Sequence, residues 1–354
     1  MVRRQSVVVA TVARAHGTVL ILRGARRELK TRSKIAVVGS GGRLGAALMR
    51  EYRDKFEVTG FNHTQLDLSN FDEMRDKLRE TDFGVLINAA AFTNVDLCET
   101  RRDQAFLINA EAPRVLAEIC REKNAKLIHF STDYVFDGEK RQPYVENDSA
   151  NPISIYGESK RAGEKLVLAV KDRHLVVRVS WVFGPDRPSF IDGLIKRAQE
   201  NEHVDAIADK FSSPTYTHDV AEMLPRFFNV GPVAGGDDPG GAVAVTARSY
   251  SASDYSGILH FSSAGECSWQ EYGQWALDCC GAFGVPIKAK TVDALELTDM
   301  TRLRQGYGGQ ANWVARRPVC SVLSSARYTE LTGASSRTWR DAVADYIRRF
   351  YSKK

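Results

Sequence analysis

The chain has 354 residues, 43% apolar and 26% charged, with a net charge of +5. A chain of that size and composition buries a sizeable core without disulfides or metals, in one large domain or two closely joined ones. The charge excess is too slight to argue for a nucleic-acid surface, and it sits at one end. Seven Arg and two Lys against one Glu fall within the first 34 residues, so the rest of the chain is slightly acidic.

Residues 1–33 are expected to stay outside the fold as a basic extension, either a disordered tail or a stretch translated from a start codon upstream of the real one. An Arg-rich, acid-poor segment also fits an organelle transit peptide. From Lys34 the pattern becomes regular. KIAVVGS is a continuous apolar run, as expected of a strand buried on both faces of a parallel sheet. A helix (RLGAALMREYRDK), a strand (FEVTGFN) and a helix near NFDEMRDKLRE follow. Then come the strand VLINAA, a helix from about Arg102 to Lys123, the strand KLIHFST, a helix around Ser159–Lys171 and the strand LVVRVSWVF. This alternation predicts an α/β fold with a doubly wound, Rossmann-like parallel sheet and a smaller C-terminal substrate-binding domain.

The expected organisation is a dinucleotide-binding domain over 34–185 and a mainly substrate-binding part over 186–354. Strands near 204–220 and 257–264 are expected to return to the first domain, with insertions near 231–256 and 301–312. FIDGLIKRAQEN, THDVAEMLPRFF and SWQEYGQWALDCCGAFG read as helices. No apolar run approaches the length of a membrane span. Cys98, Cys120, Cys267, Cys279, Cys280 and Cys320 show no metal-ligand spacing and read as reduced thiols of a cytoplasmic protein. No metal is expected, nor a nucleic-acid or membrane partner, and the oligomeric state is open, a homodimer included.

Gly39, Gly42 and Gly45 follow the first strand and open a helix. Glycine is needed there because the backbone turns sharply and a pyrophosphate must approach the helix N-terminus unobstructed. Strand before and helix after make dinucleotide binding the favoured reading over a merely tight turn. The second strand ends in Gly60-Phe61-Asn62-His63, without the carboxylate that binds the adenine ribose of NAD. With Arg43 and His63 in the neighbourhood, NADPH is favoured over NADH.

Tyr156 and Lys160 stand four apart, on one face of a helix. Alone, such a pair is most often an exposed surface pair. Here it follows Thr132, which ends the strand KLIHFST, and parallel sheets place ligands at that edge. The three suit carbonyl reduction: Tyr donates a proton, Lys stabilises the phenolate and Thr orients the carbonyl. Lowering a tyrosine pKa by about 3 units needs roughly 4 kcal/mol, within reach of one close cation.

Taken with VVGSGGRLG, LINAAAFTNVD, HFSTDYVFDG, NPISIYGESKRAGE, VRVSWVFG, SSPTYTHDVA and RRPVCSVL, these residues make the chain similar to the extended short-chain dehydrogenase/reductases. Within them it resembles the dTDP-4-dehydrorhamnose reductase family from about residue 34 to 323. The resemblance implies NADPH-dependent reduction of the C4 ketone of dTDP-4-dehydro-β-L-rhamnose, a nucleotide-sugar substrate. It implies that Tyr156 is the proton donor, Lys160 the ribose-binding lysine and Thr132 the carbonyl-orienting hydroxyl. It places Gly42, Arg43 and Leu44 at the pyrophosphate, Asp67 and Leu68 beside the adenine, and Ala90, Ala91 and Thr93 along the cofactor. Thr132, Asp133 and Trp181 match positions that contact the sugar nucleotide. Otherwise Trp181 reads as a core aromatic and Asp133 as a turn former, the reading preferred for Asp137. Cys320 replaces an Asn of the family pattern and Lys210 a Gln, both in the half that selects the substrate. Two alternatives stay open: a reductase of another nucleotide-linked deoxysugar, and a non-catalytic regulatory subunit like the β subunit of methionine adenosyltransferase.

Overall fold

The computed structural model describes residues 11–15, 18–22, 33–170, 173–228, 252–299 and 314–352. The chain divides into two compact units, Met1–Arg32 and Ser33–Lys354. In the first, Thr11–Ala15 and Thr18–Leu22 pair antiparallel. The insertion expected at 301–312, and most of that expected at 231–256, lie outside the described residues.

The second unit is built on six parallel strands. They are β1 (Lys34–Val38), β2 (Glu57–Phe61), β3 (Val85–Asn88), β4 (Lys126–Thr132), β5 (Leu175–Val179) and β6 (Gly257–His260). Their order is β6-β5-β4-β3-β1-β2. The strand order reverses between β1 and β3, which opens a crevice at the carboxyl ends of those strands. Successive side chains point to opposite faces, and here both faces are dry. Ile35, Val37, Ile87, Ile128 and Val177 pack on one side with Leu44, Leu48 and Tyr52 of α1 (Arg43–Tyr52). Ala36, Val38, Leu86, Leu127 and Val176 pack on the other with Met74 and Leu78 of α2 (Phe71–Glu80) and Val115, Leu116 and Ile119 of α3 (Ala112–Glu122). That two-sided burial is why β1 and β3 read as nearly unbroken apolar runs, whereas the edge strand β2 is only partly buried.

The second half of the chain is not cleanly separate from the first. Helix α1 packs against Val220 and Ala221 of a later short helix (Thr217–Met223), and Tyr52 donates its buried hydroxyl to the Ala221 carbonyl at 2.9 Å. The strand Val204–Ile207, expected to rejoin the main sheet, pairs instead with Val292–Leu295. The outer edge of β5 is already occupied by β6, and Val204 and Ala206 turn toward Leu194 and Leu277 in a separate small core.

The single helix expected from Arg102 to Lys123 is interrupted. Arg102–Phe106 gives way to a π-turn, Leu107–Glu111, before α3. Asn109 in that turn accepts the Phe92 N–H at 2.8 Å and donates to the Phe92 carbonyl and the Ser159 hydroxyl, each at 3.0 Å. The one-residue bulge aims a polar side chain inward that a regular helix would not.

Helix α4 (Ile155–Val170) lies along β4 and β5 and is tied there by a buried ion pair. Arg178 of β5 grips Glu164 with Nε at 2.7 Å and Nη2 at 2.8 Å, and both side chains are almost wholly buried. Burial acts to raise the Glu164 carboxyl, but hydrogen bonds from Arg178 and Arg161 outweigh it and hold the group below the usual range. With a depressed folded pKa, the pair stabilises the fold above the carboxyl's unfolded value and is lost as pH falls through the folded one. Arg178→Leu strands the Glu164 charge. We expect it to lower unfolding free energy by about 3–5 kcal/mol in urea titrations; a loss below about 1 kcal/mol would show the pair to be dispensable.

Candidate active site

The glycine turn sits at the mouth of the crevice. Gly39 has φ +82°, and a Cβ there would lie 2.7 Å from the Ala90 nitrogen, so the turn presses directly on the chain leaving β3. At Gly45 a Cβ would lie 2.1 Å from the Gly39 carbonyl oxygen. Gly42 begins α1 with no side-chain cap, whereas Asn70 caps α2 through its side chain. An uncapped helix start behind a turn whose only side chain is that of Ser40 is a cradle of the shape and polarity that a pyrophosphate requires.

The side chains around the turn are distributed differently from expectation. Arg43 points away from the cradle: Nε bonds the Arg187 carbonyl at 3.2 Å, Nη1 the Val182 carbonyl at 3.1 Å, and Nη2 the Pro188 carbonyl. Arg187, which sequence reasoning missed, reaches the turn in its place, with Nε 2.7 Å from the Gly41 carbonyl oxygen. Asn62, at the end of β2, lies beside Gly41, and His63 next to it is exposed. Asp67 accepts the Ser69 N–H at 2.9 Å and its hydroxyl at 2.8 Å, forming the turn into α2, while Leu68 is buried in the core. Ala90, Ala91 and Thr93 follow β3, the two alanines half-buried and Thr93 exposed, with the Ala90 N–H donated to Asn88.

Thr132, Tyr156 and Lys160 are brought together at the carboxyl end of β4. Thr132 begins a short 3-10 turn, Asp133–Val135, and its hydroxyl accepts the Tyr134 N–H at 3.2 Å. The first turn of α4 presses on that turn, because a Cβ on Gly157 would lie 2.2 Å from the Tyr134 carbonyl oxygen. Glycine next to Tyr156 therefore permits the close approach that sets Tyr156 beside Thr132. The Tyr134 and Tyr156 rings meet edge to face, centroids 5.7 Å apart. Burial, opposed in part by the neighbouring Thr132 hydroxyl, raises the Tyr156 phenol above its ordinary value, the reverse of the expected lowering. The reason is visible at Lys160, whose Nζ donates to the Phe130 carbonyl at 2.7 Å and lies 3.4 Å from His129 Nε2.

Asp133 is a junction rather than a free carboxylate. It is 2% exposed and accepts hydroxyls from Thr132 at 3.0 Å, Ser180 at 2.8 Å, Ser321 at 2.6 Å and Ser212 at 3.3 Å. These donors come from four separate segments. Trp181, at φ +41°, breaks the run that sequence reading takes as one strand and stands half-buried against Trp269 and Tyr272. Lys210 is fully buried between the Trp181 and Tyr134 rings, with Nζ 5.6 Å from each centroid, and donates to the Pro318 carbonyl at 2.9 Å. Asp137 forms a turn, accepting the Tyr144 hydroxyl and the Glu139 N–H. A cavity of about 500 Å³ opens beyond β6, bordered by Ala264, Gly265 and Ser324, and none of Thr132, Tyr156 and Lys160 lines it.

The fold is shared with known proteins. The profile of the RmlD substrate binding domain matches residues 33–230 and 240–352. The chain belongs to that family. It is 33% identical to a probable dTDP-4,6-dihydroxy-2-methyloxan-3-one 4-ketoreductase of Streptomyces antibioticus, over 87% of this chain and 92% of that protein. It is 32% identical to the dTDP-4-dehydrorhamnose reductase of Mycolicibacterium smegmatis, over 89% of this chain and 85% of that one. The crystal structure of the Bacillus anthracis dTDP-4-dehydrorhamnose reductase, in complex with NADP, superposes with a TM-score of 0.76 at 26% identity, covering 90% of this chain and all of that one. Among the described residues, no helix of this family member is long and apolar enough to cross a membrane, and no cluster of three or more His, Cys, Asp and Glu is placed to hold a metal.

Asp133→Ala removes one acceptor from four hydroxyls. We expect it to lower unfolding free energy by about 2–4 kcal/mol, since buried donors are left unpaired. Unchanged stability with a raised KM would instead make Asp133 a substrate contact.

Proposed function

We propose that the chain is a dTDP-4-dehydrorhamnose reductase that uses NADPH to reduce the C4 ketone of dTDP-4-dehydro-β-L-rhamnose. The observation that carries this reading is the juxtaposition of Thr132 and Tyr156, on the wall where Lys160 is buried, at the sheet edge shared with the glycine cradle. The bound nicotinamide supplies the hydride. Tyr156 donates its phenolic proton to the sugar oxygen as C4 is reduced, so the ketone becomes an alcohol. A phenol raised by burial is fully protonated near neutral pH, as a proton donor must be. Thr132 orients the carbonyl, and Lys160 restores the proton to Tyr156.

Gly39, Gly42 and Gly45, with the first amides of α1 at Arg43 and Leu44, hold the pyrophosphate. Leu68 and Asp67 border the adenine, and Ala90, Ala91 and Thr93 the nicotinamide half. Arg187, Asn62 and His63, with no carboxylate at the end of β2, favour NADPH over NADH. Trp181 lines the sugar pocket. Six free thiols fit a cytoplasmic enzyme. A second reading, reduction of another dTDP-linked deoxysugar, is favoured by the name of the Streptomyces antibioticus relative and by the buried Lys210 behind Trp181.

Purified protein should oxidise NADPH when dTDP-4-dehydro-β-L-rhamnose is added, followed by absorbance. Tyr156→Phe should lower turnover at least about a hundredfold. Near-normal turnover in that variant would defeat the mechanism, and turnover only with a different dTDP-sugar would select the second reading.

A further inference from the structure

Behind the candidate catalytic wall, Asn88 and His129 extend a buried polar chain from Lys160 that the proposed reaction does not otherwise use. Asn88 and His129 are wholly inaccessible and Lys160 is 1% exposed. The Ala90 N–H donates to Asn88 Oδ1 at 3.1 Å. A backbone N–H can only donate, so the opposite end of the Asn88 amide, Nδ2, faces His129 Nδ1 at 3.0 Å. Nδ2 is itself a donor, which makes Nδ1 the bare acceptor nitrogen. A neutral imidazole then carries its hydrogen on Nε2, which is the nitrogen 3.4 Å from Lys160 Nζ. Burial and the nearby lysine hold His129 well below its ordinary pKa, so the ring stays neutral.

Resting on the reductase reading of this site, we propose that His129 is a positioning residue locked by Asn88 as the Nε2–H tautomer, so that it presents a donor to Lys160 and favours the lysine's neutral amine. An ammonium meets a donor it cannot bond, whereas an amine offers a lone pair that accepts the Nε2–H and still donates to the Phe130 carbonyl. The remaining charges nearby are largely paired. On α4, Glu164 is bound by Arg178 from β5 and by Arg161, and at the end of β4 Asp133 is surrounded by hydroxyls. Burial, only partly offset by Glu164, already brings Lys160 down to about 8. His129 acts in the same direction. A relay lysine that titrates close to the working pH passes protons readily in both directions. The consequence for the pH profile is that kcat/KM falls as pH rises through the Lys160 value, because the ammonium that resupplies Tyr156 is lost.

Two-bond proton–nitrogen NMR spectra of histidine-labelled, cofactor-free protein should show His129 as the Nε2–H tautomer from about pH 6 to about pH 9. An Nδ1–H tautomer, or a doubly protonated ring, overturns the inference. Asn88→Asp supplies an acceptor that draws the hydrogen to Nδ1 and bares Nε2 toward Lys160. His129→Gln offers a side-chain carbonyl to the ammonium without adding charge. In both variants the Lys160 Cε titration of cofactor-free protein, assigned by its absence in Lys160→Met, should move up by about one pH unit or more, and the alkaline limb of kcat/KM with it. Where one variant fails to fold, the other and the wild-type tautomer decide. An unmoved Lys160 titration overturns the role of His129 alone. A protein that reduces no dTDP-sugar, with the tautomer and titrations as expected, overturns the reductase reading alone.

Discussion

The close approach of α4 to the end of β4 is the constraint on which the candidate site depends. At Gly157 the helix runs so near the Tyr134 carbonyl that any side chain would overlap it. From that contact follow the placing of Tyr156 beside Thr132 and of buried Lys160 against the Phe130 carbonyl. The Glu164–Arg178 pair, two turns along, fastens the same helix to β5. A charged pair in a dry interior adds little net stability, yet breaking it is costly, so it acts as a latch on one helix position.

A second constraint joins the sheet to the later part of the chain. Asp133 gathers hydroxyls from Ser180, Ser212 and Ser321, and Asp96 takes Arg317 at 2.6 Å. The wall that holds Thr132 is thereby built from both halves. This explains why STDYVFDG, SSPTYTHDVA and RRPVCSVL occur together in one chain: they meet at a single carboxylate. The same convergence brings Lys210 against Trp181, so the position that departs from the family pattern lies directly behind that ring.

Much of the fold was legible because periodicity reports burial. Strands dry on both faces are continuous apolar runs, and α1 to α3 each carry one apolar stripe. The interrupted helix at Leu107–Glu111 was not legible, since a one-residue bulge leaves composition and spacing almost unchanged. Nor was the partner of Val204–Ile207, because a short apolar strand pairs with whichever edge is free. The break at Trp181 was hidden too: its positive φ falls on a tryptophan packed against Trp269 and Tyr272, with no glycine to signal it.

The sequence by itself determined the parallel α/β sheet, the glycine turn after its first strand, and the placing of Thr132 at a strand end with Tyr156 and Lys160 one helical turn apart, because strand ends and helical spacing are local properties. Only the tertiary structure decided what each polar side chain does. It turned Arg43 away from the cradle and brought Arg187 to it, buried Asp133 as a junction, and placed His129 and Asn88 behind Lys160. Those assignments depend on hydrogen-bond partners up to 188 residues apart along the chain, as between Asp133 and Ser321. A buried donor or acceptor must find such a partner wherever the fold supplies one.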